Sequence, residues 1–377
     1  MTYSVPGVYV EEPFGMSLSI QTGATAVPVF AFDSSDQLAK MLGIVDKTVP
    51  LSSWLDISNL LQAKNKDEKD FRGGCLFESL KLYFINGGGS CYLAEVKKLN
   101  AVVPGLDDVT LLVQAGALLA DFKSAVNELC KKGNAYFAIF DGPKEQISKV
   151  TDVKTKQDDY EKNQYAAVYY PWLSVAYSQS DGTVDEKEAP PSGAIAGVYA
   201  RVDRERGVWK APANVEIVGA TPKFKVPDDI DGKLNVTDGG KSINVIRSFR
   251  GTGTLIWGAR TLETDQTAWK YVPVRRLFCA AEKDIRTAMS TALFEPNSAP
   301  TWERVRSAVE NYVHSLWEQG ALLGDTPEQA YFVHIGRGIT MTDEQIKSGT
   351  MVLKVGLSAV RPAEFIVLQL TQDVVPA

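Results

Sequence analysis

Apolar residues recur along this chain in two rhythms, and the predicted elements change where the rhythm changes. From about residue 74 the spacing is helical, with Leu76, Phe77, Leu80, Tyr83 and Phe84 on one face. Gly87-Gly88-Gly89 breaks that run, and 91–96 reads as a strand. A second amphipathic helix is expected over about 110–132, with Leu111, Leu112, Ala115, Leu118, Leu119, Phe122, Val126 and Leu129 facing inward. Gly133 stops it, and 135–140 is a short, wholly apolar strand closed by Asp141-Gly142-Pro143. Residues 166–175 give another strand. Strand alternating with helix is the signature of a parallel sheet covered by helices. The polar runs 180–190 and 227–241 read as surface loops. After Thr261 the order changes. A helix over about 281–293 is followed by a longer one, opened by Asn297-Ser298-Ala299-Pro300 and stopped at Gly320. Strands are then expected at 330–335, 350–357 and 365–371, which describes a second, α+β unit. Residues 1–20 are extended in character.

At 377 residues the chain can bury one large core or two smaller ones. Its 45% hydrophobic and 23% charged content is that of an ordinary soluble protein. A net charge of −6 argues against general nucleic-acid binding, which needs a basic surface to displace counterions. No run of about 20 apolar residues offers a membrane span, and Met1-Thr2-Tyr3-Ser4 lacks the regions of a signal peptide. The protein is therefore expected to be made and assembled in the cytoplasm, without inserting into a membrane. Cys75, Cys91, Cys130 and Cys279 are far apart and in apolar company, so buried thiols are expected rather than a metal site or a disulfide framework.

Candidate chemistry is sparse. The two histidines, His314 and His334, have no nucleophile–base motif near them, and no GxSxG elbow is present. Gly87-Gly88-Gly89 and Gly251-Thr252-Gly253 fit neither phosphate-loop pattern and read as turns. The pairs Asp107-Asp108, Asp158-Asp159 and Asp228-Asp229 lie in polar surroundings, and no metal or cofactor is assigned. Arginine carries more information. In Val-Pro-Val-Arg-Arg-Leu-Phe, read as extended, alternation sends Arg275 and Arg276 to opposite faces, so at least one meets the interior or an interface. Arg201, Arg247, Arg260, Glu295 and Glu364 are further candidates for such ion pairs, with internal and intersubunit pairing both open.

Six blocks in order carry a resemblance. They are PPSGAIAGVYARVDRERGVWKAPAN (190–214), INVIR (243–247), WGART (257–261), YVPVRRLF (271–278), FEPN (294–297) and PAEFI (362–366), preceded by an opening PGVYVEE at 6–12. Together they resemble the tail sheath proteins of contractile phages and of phage-tail-like injection particles. That resemblance implies a subtilisin-like α/β sheath domain over 80–262, with 21–79 packed onto it, and a C-terminal α+β sheath domain over 263–364. It also implies extended β arms at 1–20 and 365–377. Val5, Val8, Tyr9 and Val10 at one end, and Phe365, Ile366, Val367, Leu368, Gln369 and Leu370 at the other, would be strands exchanged between subunits. The implied function is structural: a helical polymer around an inner tube, contracting to drive that tube through a cell envelope. Its implied partners are further copies or sister sheath proteins, the tube, the baseplate and a terminator or cap. The implied setting is a virion tail or a released particle. A subtilisin-like hydrolase is the alternative, disfavoured because no triad motif is present and because a fold does not carry a site.

Overall fold

The structure, a computed structural model, describes residues 19–179, 181–235, 240–264 and 268–364. Its centre is a nine-stranded sheet. In chain order the strands are β1 (Pro28–Phe32), β2 (Val49–Leu51), β3 (Cys91–Glu95), β4 (Leu111–Val113), β5 (Phe137–Asp141), β6 (Ala166–Tyr170), β7 (Leu173–Ser178), β8 (Val184–Ala189), β9 (Val215–Glu216), β10 (Thr221–Pro222), β11 (Asn244–Phe249) and β12 (Gly253–Ile256). The large sheet runs β2-β3-β1-β4-β5-β6-β11-β12-β9, and β10-β7-β8 form a separate three-stranded sheet. From β3 through β11 neighbours are parallel, while β2, β12 and β9 add antiparallel edges.

Strand alternation sorts the interior into two cores, one on each face. In β1, Phe30 and Phe32 face the side covered by the helices Cys75–Ile85 and Pro191–Arg206, and Val29 and Ala31 face the other. That second face is closed by the helices Leu119–Leu129, Val150–Asp158 and Asp228–Leu234. Both faces being covered explains why the central strands are apolar throughout. A third core lies beyond the sheet. There the helices Val272–Met289 and Ala299–Glu318 pack with a two-stranded antiparallel pair, β13 (Tyr331–His334) and β14 (Lys354–Leu357).

Several elements differ from the sequence expectation. The helix expected over 110–132 is two elements, because 111–113 is a fully buried strand and only Leu119–Leu129 is helical. A buried parallel strand is a plain apolar run and imitates one helix face. Residues 166–175 are broken at Pro171, which separates β6 from β7. The expected loop at 180–190 contains β8, an edge strand carrying Asp185, Glu186, Lys187 and Glu188. Charge on an edge blocks further pairing and hides the strand from a hydropathy reading. The expected loop at 227–241 contains the helix Asp228–Leu234, whose Ile230 and Leu234 reach the core while Asp228, Asp229 and Asp231 sit in its first turn. The helix expected from 281 begins at Val272, so Arg275 and Arg276 are helical and both are buried. Pro273 in the first turn was the available signal.

Candidate functional site

Four short stretches of chain meet where the large sheet joins the third core, and buried charge holds them together. The Pro191–Arg206 helix presents a stripe in which Asp203 follows Ala196 and Tyr199 at helical spacing. Facing it, Arg276 donates from Nη1 to Asp203 Oδ1 at 2.9 Å and from Nη2 to Oδ2 at 2.5 Å. The two side chains are only 3% and 5% exposed, and the guanidinium lies 4.5 Å from the Tyr199 ring centre. The 20–26 segment completes the pair: Thr25 donates its hydroxyl to Asp203 and accepts Arg276 on its carbonyl. A turn or two further along the Val272–Met289 helix, Asp284 accepts the Gly23 N–H at 3.0 Å and the Tyr312 hydroxyl at 2.8 Å. Burial pushes the Asp284 carboxyl above its ordinary range, against the opposing pull of those two donors. Asp203 and Asp284 went unnoticed in the sequence, although each continues an otherwise apolar helical stripe.

A second buried pair clamps the end of the described chain. Arg260, fully buried, donates from Nε and Nη2 to the two oxygens of Glu364, at 2.8 and 2.5 Å. Tyr271 Oη adds a bond to Glu364, and Arg260 Nη1 reaches the Asn235 carbonyl. Burial raises the Glu364 carboxyl, but the hydrogen bond and charge of Arg260 outweigh it and hold the group below its usual value. Asn244 fixes the Arg260 backbone by bonding both its N–H and its carbonyl.

The other candidates separate by environment. Arg247 bridges Asp228 and Asp231 at the start of the Asp228–Leu234 helix. Arg275 is met by rings rather than by a carboxylate, lying 4.1 Å from Trp269 and 4.6 Å from Tyr165. Arg201 donates to the backbone carbonyl of Glu216. Glu295 pairs with Arg304 at 3.4 Å in an exposed position. Val5, Val8, Tyr9 and Val10, and Phe365 through Leu370, lie outside the described residues.

A catalytic constellation would need its groups together and reachable. Asp141, at the end of β5, and Ser192, in the first turn of the Pro191–Arg206 helix, do meet, but both are buried. Asp141 accepts the N–H groups of Ser192 and Gly116, each at 2.8 Å, and Ser192 Oγ accepts the Ala115 N–H. Burial pushes the Asp141 carboxyl up to about 6. His314, half exposed on the Ala299–Glu318 helix, lies 3.1 Å from the Tyr331 hydroxyl and 3.4 Å from Glu318, and the exposed His334 stacks beside Phe332 on β13. Neither histidine joins Asp141 and Ser192, whose polar groups tie a strand end to a helix start.

Two family profiles match the chain: the phage tail sheath protein central domain over residues 102–262 and the phage tail sheath C-terminal domain over residues 264–373. Among solved structures, the cryo-EM structure of an extracellular contractile injection system, the PVC sheath complex in its contracted state, is 49% identical with a TM-score of 0.87, covering 99% of each chain. A chain of the anti-feeding prophage baseplate in its contracted state is 42% identical with a TM-score of 0.84, covering 98% of this chain and 99% of that one. The putative prophage major tail sheath protein of Pseudomonas aeruginosa (strain UCBPP-PA14) is 27% identical over 141 residues, a stretch that spans 36% of each chain. The matches therefore cover about a third of that curated relative and nearly the whole of both solved chains. With profiles matching both halves and a likeness that runs end to end, the chain belongs to the contractile tail sheath family, whose members are structural proteins rather than enzymes.

Proposed function

We propose that this chain is the repeating subunit of a contractile sheath that polymerises helically around an inner tube and, on triggering, shortens to drive the tube through a target envelope. The observation that carries the reading is the match, over 99% of both chains, to a sheath complex in its contracted state. The work would come from the difference in intersubunit contacts between an extended and a contracted lattice, so that no nucleotide is consumed. The extended lattice would be held by a kinetic barrier that tube and baseplate contacts maintain. The baseplate is supported as a partner by the anti-feeding prophage likeness. The tube, a terminator or cap, and sister sheath proteins are further partners on this reading, with assembly in the cytoplasm before release.

Residues 80–262 would be the subtilisin-like domain, with 21–79 packed onto it, and 263–364 the C-terminal domain, with 1–20 and 365–377 as arms exchanged between copies. Support for exchange comes from the pair β13–β14. Two strands alone are marginal, and each keeps one backbone edge without a partner strand among the described residues. A strand from a neighbour would extend that sheet by β-augmentation. Negative-stain microscopy of the purified chain, alone and with its tube partner, tests the proposal. Hollow cylinders are expected, and a strictly monomeric sedimentation profile at high concentration across several salt conditions would overturn it.

A further inference from the structure

The short turn that follows the Val272–Met289 helix does something no packing requirement explains. Leu293 is 66% exposed and Phe294 is 105% exposed, the most open large apolar side chain among the described residues. Phe294 also holds φ at +68°, a left-handed conformation that a bulky residue adopts only under constraint. An aromatic residue held in a left-handed backbone conformation with its ring fully wet gains nothing within its own chain. Such a residue is the form an interface anchor takes before its partner arrives.

The same chain carries a hole of matching chemistry. Between the Val272–Met289 helix and β14 opens a cavity of about 380 Å³, walled by Phe278, Ala281, Ile285, Leu353 and Leu357. A cavity of about 150 Å³ already accepts a benzene ring, so this one holds a phenylalanine ring and the leucine beside it. Its rim carries Arg286, paired with Glu282 at 2.6 Å in a half-open position. The knob is followed directly by Glu295, whose own contact to Arg304 is a loose 3.4 Å at the surface. Knob and hole therefore bring an acidic residue against a basic one.

We infer that Phe294 of one copy inserts into the apolar cavity of a neighbouring copy, with Glu295 turning from Arg304 to Arg286 of that neighbour. In the helical array of the sheath reading the contact is heterologous, passing from each copy to the next rather than being returned across a two-fold axis. The inference rests on the sheath reading above and adds to it a side-chain contact separate from any exchange of strands.

The test is covalent capture in assembled particles of the full chain. In a Cys75→Ser background, a variant combining Glu295→Cys beside the knob with Glu282→Cys at the cavity rim keeps the Phe294 ring. A short bismaleimide should then give a ladder of dimers, trimers and higher species on a denaturing gel, while each single variant gives none. Particles that yield no ladder, or only a band at monomer mass, would overturn the inference and leave the sheath reading intact. Should the double variant not assemble, Phe294→Ser and Phe294→Leu decide the matter. Since the side chain is fully exposed, both should melt like the parent. The Ser variant should need at least tenfold more protein to assemble, and the Leu variant much less. Ser assembling as readily as the parent refutes the contact, whereas failure of the unaltered chain to form cylinders would sink the sheath proposal and the contact with it.

Discussion

At the scale of single residues, burial decides which charges matter. The Arg276–Asp203 pair and the Glu295–Arg304 pair are both ion pairs, yet they differ in cost when broken. Arg276→Ala would strand a carboxylate that is 5% exposed, and removing one partner of a buried pair typically costs about 3–5 kcal/mol. Glu295→Ala opens a contact between side chains 38% and 46% exposed, worth about 0–1 kcal/mol. Urea melts of the two variants should therefore separate widely, and equal midpoints would refute the ranking. Asp141 gives a prediction in pH. Its carboxyl is raised from 3.8 to about 6 in the folded chain, so the folded form holds the proton more tightly than the unfolded form does. Stability from this group is fully present below pH 3.8 and is lost as pH rises through about 6, a change of about 3 kcal/mol. Asp141→Asn removes the titration but turns an amide NH2 toward one of the two N–H donors, a mismatch of about 1–3 kcal/mol. The variant should be the less stable protein at pH 4 and draw level with the parent near pH 7. A stability difference that stays constant across that range would contradict the assignment.

At the scale of elements, close approach rather than propensity fixes the central helix pair. Gly193 and Gly197 of the Pro191–Arg206 helix face the Cys75–Ile85 helix so closely that a Cβ on either would lie 2.4 Å from a backbone carbonyl, that of Ser79 or Tyr83. Alanine favours a helix by about 1 kcal/mol over glycine, but here the added methyl meets backbone on a neighbouring helix. Gly193→Ala and Gly197→Ala should each lower the melting temperature despite that gain. Gly232, inside the Asp228–Leu234 helix, has nothing within 4 Å of the same position, so Gly232→Ala should raise it. Finding the same sign at all three sites would show that packing is not what selects glycine there. The parallel strands and the long helix after Ser298 were legible from sequence. What stayed hidden were elements whose signal another force masks. The strand at 111–113 looked helical because it is buried on both faces, and β8 looked like a loop because an edge strand carries charge. The helix at 272–289 was cut short because Val-Pro-Val-Arg-Arg reads as an extended alternation until the proline is taken as a helix start. Arg260, Arg276 and Glu364 were visible as candidates, but Asp203 was not, since an acid on an apolar stripe reads as a helix surface until its partner is known.

At the scale of the whole molecule, a sheath subunit must be stable by itself and yet connected to its neighbours while they move. The 20–26 segment is anchored independently by Asp203, Asp284 and Arg276. Deleting residues 1–12 should therefore cost the subunit little apolar burial and leave its melting temperature nearly unchanged. Assembly is another matter if the first strand crosses to a neighbour. A ladder of backbone hydrogen bonds, each worth about 1 kcal/mol net, would be lost at every lattice contact, and the losses act together because each subunit joins several others. The truncated chain should fold, remain soluble and fail to form ordered tubes under conditions in which the full chain does. Truncation at 365 is the less clean experiment, because Glu364 next to it clamps Arg260 and a folding defect would confuse the result. The comparison of interest is thus between sedimentation and melting of the same N-terminal truncation. A folded truncation that builds cylinders which contract and stay intact would rule out strand exchange through residues 1–12, and would place the connection between subunits on side-chain contacts such as Phe294 instead.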